Sequence, residues 1–159
     1  MRKPSLFGVL ILLFVMCTAA FAGELDNRFT AGASVKAHEK RSTGVSLYAE
    51  MLLALINQYR LENGLNMLRF EPRLIQLARR HSVEMFQQKM VSHHNFKQRM
   101  EIARSCLCVE NVGWNNNVPQ KRFEDWQGTP ENNQNMLAEG IQKAGIAEAG
   151  NYVTFIACK

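Results

Sequence analysis

The sequence predicts an α+β domain, with helices flanking and covering a small antiparallel sheet. Three observations carry that expectation. Two long segments between residues 46 and 88 repeat apolar residues at helical intervals. Two short β-prone runs near the end, Ile141 to Glu148 and Tyr152 to Cys158, surround Ala149-Gly150-Asn151, the composition of a hairpin turn. Between these regions Pro119 and Pro130 stand where proline opens a helix without losing a needed hydrogen bond.

The 159 residues fit one domain. The first 22 read as a signal peptide: Arg2 and Lys3 form a basic start, Leu6 to Val15 an apolar run, and Ala20-Phe21-Ala22 a small-x-small cleavage site. The apolar run is shorter than the roughly 20 residues of a comfortable transmembrane helix. Cys17 lies inside the peptide, and Phe14-Val15-Met16 lacks the small residue that a lipid-attachment site carries before its cysteine. The expectation is export to the periplasm or beyond, with no membrane span after cleavage.

Gly23 to Val45 mixes glycine, serine, threonine and charge without periodicity, the composition of a flexible lead-in with His38 exposed in it. The domain proper is expected over residues 46–159. Its first helix has Ser46 as N-cap, Gly64 as stop, and Leu47, Met51, Leu55, Ile56 and Tyr59 as the apolar side. Glu71-Pro72 opens a second helix, in which Leu74, Leu77, Ala78, His81, Met85 and Phe86 share a face. His81 falls on or beside that stripe and reads as a hydrogen-bonded packing histidine. Asn95 can cap a short third helix on which Phe96, Met100 and Ala103 recur at helical spacing. The run SCLCVE, residues 105 to 110, reads as a short strand. Val118-Pro119 leads a helix with Phe123 and Trp126 on its apolar side, and Thr129-Pro130-Glu131 leads another.

Removing Arg2 and Lys3 leaves 17 basic against 14 acidic residues, a charge of +3. The basic residues are spread along the chain, which argues against a nucleic-acid partner. An oxidising compartment favours disulfides among Cys106, Cys108 and Cys158, and an odd number leaves one thiol over. Cys106 and Cys108 are two apart and point to one face of an extended strand, so only one of them can bridge to Cys158. Cys108, beside Glu110, is the favoured partner and Cys106 the alternative. Cys106-Leu107-Cys108 lacks C-x-x-C spacing, and there is no GxGxxG, Walker loop, nucleophile elbow or H-E-x-x-H.

The stretch from Met90 to Trp114 concentrates the chemistry: His93 and His94 in a loop, Glu110-Asn111 on or beside a strand. A loop histidine can titrate or bind a metal, and one paired with a glutamate on a nearby strand can form a cleft.

Taken in order, LINQYRLENGLNMLRFEPRLIQLARRHSVEM, VSHHNFKQRM, VENVGWN, WQGTPENNQNML and AGIAEAGNYVTFIAC resemble the bacterial branch of the CAP superfamily. Its other names are SCP-like and cysteine-rich secretory, antigen 5 and pathogenesis-related-1 proteins. The resemblance covers Ser46 to Lys159 and implies an α-β-α sandwich. His93, with Phe96 and Arg99, matches the family's SHxxF segment, and Glu110-Asn111 matches its Glu-Asn pair, whose glutamate lines a cleft with that histidine. The pattern W-x-x-S-P-G-H-R-x-N-I-L is met by Trp126, Thr129, Pro130, Asn135, Met136 and Leu137. Asn132 stands where the pattern has its second histidine, with Glu131 for the glycine and Asn133 for the arginine. Asparagine is a poor zinc ligand, so a zinc site built on His93 and Glu110 is expected to be weak.

Two functional classes follow. One is an exported binding module whose cleft of His93, Glu110 and Asn132 takes a small apolar molecule, an envelope component or a protein. The other is a metal-assisted hydrolase with Glu110 as base and His93 as ligand or acid. The absence of a serine or cysteine nucleophile with an arranged base favours binding.

Overall fold

A computed structural model describes residues 44–159. The expected signal peptide at 1–22, Cys17, and the lead-in with His38 lie outside the described residues, apart from the lead-in's last two positions.

Helix α1 runs Leu47–Glu62, and the Ser46 side chain accepts from the Ala49 amide at 3.1 Å as an N-cap. Its buried face is rotated from the expected one. Ala49, Leu52, Leu53, Ile56, Asn57 and Arg60 point inward, while Leu47 and Met51 are exposed. The two polar members explain why pattern reading misses this face. Asn57 exchanges two hydrogen bonds with the Leu68 main chain, at 2.7 and 2.9 Å. Arg60 donates to the carbonyls of Asn66, Met136 and Ala138, which satisfies a buried guanidinium where α1 meets residues 136–138.

Strand β1 (Arg69–Phe70) precedes α2 (Pro72–Gln88), and α3 (Phe96–Ala103) follows a loop. Then come β2 (Cys108–Trp114), α4 (Pro119–Gln127), α5 (Pro130–Met136), β3 (Lys143–Ala149) and β4 (Tyr152–Cys158). The order across the sheet is β1-β3-β4-β2. The three long strands are antiparallel, as expected, but β1 joins β3 in parallel, so the sheet is mixed. Proline opens α2, α4 and α5 where the sequence places it. Thr129 precedes α5 without a side-chain cap, because its hydroxyl donates to the Asp125 carbonyl instead.

Alternation along the strands divides the core into two layers. Ile146, Val153 and Phe155 face α1 and α4, where they meet Leu52, Ile56, Phe123 and Trp126. Ala147, Ile156 and Cys158 face α2 and α3, packing on Leu74 and Leu77 with Phe96 and Met100 at the margin. The close seat of α2 depends on Gly145, where a Cβ would collide with the Leu74 main chain. This is the expected α-β-α sandwich.

Strand β2 departs from the sequence reading, which placed a strand over residues 105–110. It starts at Cys108 and continues to Trp114, paired with β4 at all seven positions from Cys108↔Cys158 to Trp114↔Tyr152. Tertiary pairing overrides the weak β preference of Asn111 and Gly113. Glu110 therefore lies inside the strand rather than at its end. The shift also decides the disulfide: Cys108 is opposite Cys158 and bonded to it, while Cys106 precedes the strand as a free, exposed thiol. The outer edge of β2 is closed by side chains. The carbonyls of Glu110, Val112 and Trp114 accept from Asn135, Trp126 and Arg122 at 3.0, 3.1 and 2.7 Å, which occupies groups that an added strand would use.

Candidate functional site

Three segments bring side chains to Glu110. The third position of β2 points it toward the α2–α3 layer, where its side chain is 1% exposed. Arg99, one turn into α3, meets it with a fork: Nε donates to Oε2 and Nη2 to Oε1, both at 2.7 Å. The remaining Arg99 nitrogen, Nη1, donates to the His94 carbonyl at 2.6 Å, which ties the fork to the preceding loop. His93, in that loop, places Nδ1 2.9 Å from Glu110 Oε1, with its own side chain 55% exposed. His81, on α2, has Nε2 at 3.9 Å from the same oxygen.

The loop geometry explains how a histidine reaches a buried strand residue. Helix α2 stops at Gln88, with Lys89 left-handed at φ 53°. The chain then returns along α2, where His81 Nε2 donates to the Ser92 carbonyl at 2.7 Å. Asn95 enters α3 with φ 59° and makes no side-chain cap, so it serves as a left-handed corner rather than a hydrogen-bonding cap. His93 lies between these two fixed points.

Burial would raise the Glu110 pKa, because it penalises the charged carboxylate. The hydrogen bonds from His93 and Arg99, with the charges of Arg99 and His81, outweigh that and hold it below its ordinary value. The carboxylate is thus an anion already provided with donors. That suits it to fix the orientation of His93, whose Nδ1–H it accepts, more than to take a proton from water.

The structure brings His93 and Glu110 together, and it adds Arg99 and His81. Asn132 is joined to β2 by its main chain: its carbonyl accepts from Asn111 Nδ2 at 3.0 Å. Asn135 donates to both the Glu110 carbonyl and Asn111 Oδ1, so α5 braces the strand under the carboxylate. Beside the cluster a cavity of about 210 Å³ opens between α2 and α3, and its wall is mostly polar: His81 and Arg99 line it with Arg80, Glu84, Asn95 and Gln98, and Leu77 and Ile102 are the apolar members.

A family profile, "CAP: Cysteine-rich secretory protein family", matches residues 53–158. The chain belongs to the CAP family. No curated protein sequence matches it. Among solved structures, the CAP domain resembles an extracellular protein containing an SCP domain from Bacillus anthracis, with a TM-score of 0.65 and 18% identity. That likeness covers 69% of this chain and 39% of the other. It also resembles a cysteine-rich secretory protein from Staphylococcus aureus, with a TM-score of 0.64 and 16% identity over 70% of this chain and 38% of that one. An outer surface protein of Borrelia burgdorferi has the same TM-score and identity, over 70% of this chain and 92% of its own. The chain therefore spans about two fifths of the Bacillus and Staphylococcus proteins. At these identities the likeness establishes the fold.

The donors around Glu110 are already committed to one another. Among the described residues no group of three or more His, Cys, Asp or Glu side chains is arranged to hold a metal ion. Both Glu110 oxygens are engaged by a guanidinium, and a divalent cation bound there would have to displace Arg99 or sit against its charge. In addition, no helix among the described residues is long and apolar enough to cross a membrane.

Proposed function

We propose that this CAP domain is an exported binding module and that a small ligand is recognised at the His93–Glu110 cluster and the neighbouring cavity. The observation that carries this reading is the occupancy of Glu110: three hydrogen bonds from Arg99 and His93 reach its two oxygens. A general base needs a pKa near the working pH, and this carboxylate is held below its ordinary value with donors on both oxygens. A binding site needs fixed polar groups beside some apolar surface, and the cavity wall offers His81 and Arg99 with Leu77 and Ile102. The His93 side chain, 55% exposed, is the member of the cluster open to a ligand. Candidate ligands are a small apolar molecule with one polar group, an envelope component or a protein segment. The extracellular and outer surface descriptions of the similar proteins support placement outside the cytoplasm.

The test is an unbiased mass-spectrometric search for molecules that co-purify with the protein, repeated on His93→Ala, with zinc titrated into both. A retained compound lost from the variant, together with weak or absent zinc binding, supports the reading. Tight zinc binding abolished by His93→Ala, accompanied by zinc-dependent hydrolysis, would replace it with the hydrolase.

A further inference from the structure

A second cavity, of about 200 Å³, lies at the opposite end of α2 from the loop that carries His93. Four cationic side chains line it: Arg73, Arg104, Lys143 and Lys159. Glu71 is the carboxylate side chain in the same wall. Even with an α-carboxylate at Lys159 counted against them, the cations are in excess, in a chain whose charge is otherwise nearly balanced. Among the described residues, none of the four is held in an ion pair.

These residues come from four separate segments, and the fold sets the position of each. Arg73 is in the first turn of α2, and Arg104 ends α3 in a left-handed conformation with φ 55°. Lys143 opens β3 opposite Cys158, and Cys158 is bonded to Cys108. Lys159 follows β4, and its amide donates to the Leu107 carbonyl at 3.1 Å. Like charges gathered this way repel one another, a cost that an anion in the cavity would remove. Two arginines can each offer a forked pair of donors to a tetrahedral oxyanion, and two lysines add point charges. A lone carboxylate ligand would leave most of these donors unused.

We infer that this cavity is a phosphate-binding site, taking an anionic phosphate group carried either by a soluble molecule or by a lipid headgroup. It is separate from the His93–Glu110 cluster and does not depend on what that cluster binds.

The experiment uses the purified protein, with inorganic pyrophosphate titrated calorimetrically at low ionic strength. A flotation arm uses vesicles of phosphatidylcholine with and without phosphatidylglycerol. The pocket variant is Arg73→Gln with Lys143→Gln, and the control is Lys89→Gln with Lys121→Gln, which removes the same charge from exposed positions elsewhere. The expected result is binding that the pocket variant weakens about tenfold or more, while the control and His93→Ala change it less than about twofold. Pyrophosphate binding without flotation assigns a soluble phosphate. Flotation that needs phosphatidylglycerol and is lost in the pocket variant assigns the headgroup. No binding of either probe, or equal weakening in the two double variants, would overturn the inference.

Discussion

Replacing Arg99 with methionine isolates the electrostatics of the cluster, because methionine retains the aliphatic bulk between Phe96 and Met100 while removing the guanidinium. The change deletes two charge-assisted bonds to Glu110 and one to the His94 carbonyl. The Glu110 side chain is 1% exposed, so solvent screening gives little relief and the carboxylate keeps only His93 as a close partner. Removing one member of a buried pair costs about 3–5 kcal/mol, and the surviving His93 bond puts the expected loss at the lower end, about 3 kcal/mol. Urea denaturation at neutral pH measures it. The loss should shrink in acid, where Glu110 can protonate, and Arg99→Met with Glu110→Leu should be more stable than Arg99→Met alone. A loss below about 1 kcal/mol at neutral pH, or one that does not change with pH, would refute the claim that Arg99 neutralises a buried charge.

The Glu110 pKa also sets a pH window for the whole domain. It lies below the ordinary value of 4.5, so its contribution is complete above that value and is lost as pH falls through the folded pKa. Glu110→Gln should therefore show a shallower acid loss of stability than the native protein in urea titrations below pH 4.5. The Cys108–Cys158 bond, closing a separation of 50 residues, should contribute about 4 kcal/mol by chain entropy, measured by comparison with the double serine variant. Non-reducing peptide mapping should find Cys106 alkylated in the native state. Gly145→Ala should cost about 2–3 kcal/mol in thermal or urea unfolding, since α2 must lift from β3 to admit the methyl group.

Much of the fold was legible because its punctuation is local. Ser46, Pro72, Pro119, Pro130 and Gly150 mark boundaries by their own backbone preferences, and the structure places helices and a hairpin there. Legibility ends where long-range contacts decide. The inward face of α1 includes Asn57 and Arg60, whose burial makes sense only with the carbonyls that receive them. The extent of β2 follows from its pairing with β4, not from the Asn-Val-Gly sequence within it. His93 and Glu110 were brought forward by motif resemblance, since loop and strand residues seventeen positions apart have no local reason to meet. Arg99 could have been noticed by position, as His81 was. Arg99 falls in the apolar stripe of Phe96, Met100 and Ala103, and His81 in that of Leu77, Ala78 and Met85. A charged or polar residue in such a stripe needs a buried partner, and here Glu110 is Arg99's partner and a neighbour of His81.

On the proposed reading Glu110 is ionised at neutral pH and anchors the cluster rather than acting as a general base. Carbon-13 NMR titration of its side-chain carboxyl tests this most directly. The account expects a midpoint below 4.5, with the group ionised throughout the neutral range. A midpoint raised above 4.5 toward neutrality would contradict it and give the cluster the base that hydrolysis requires.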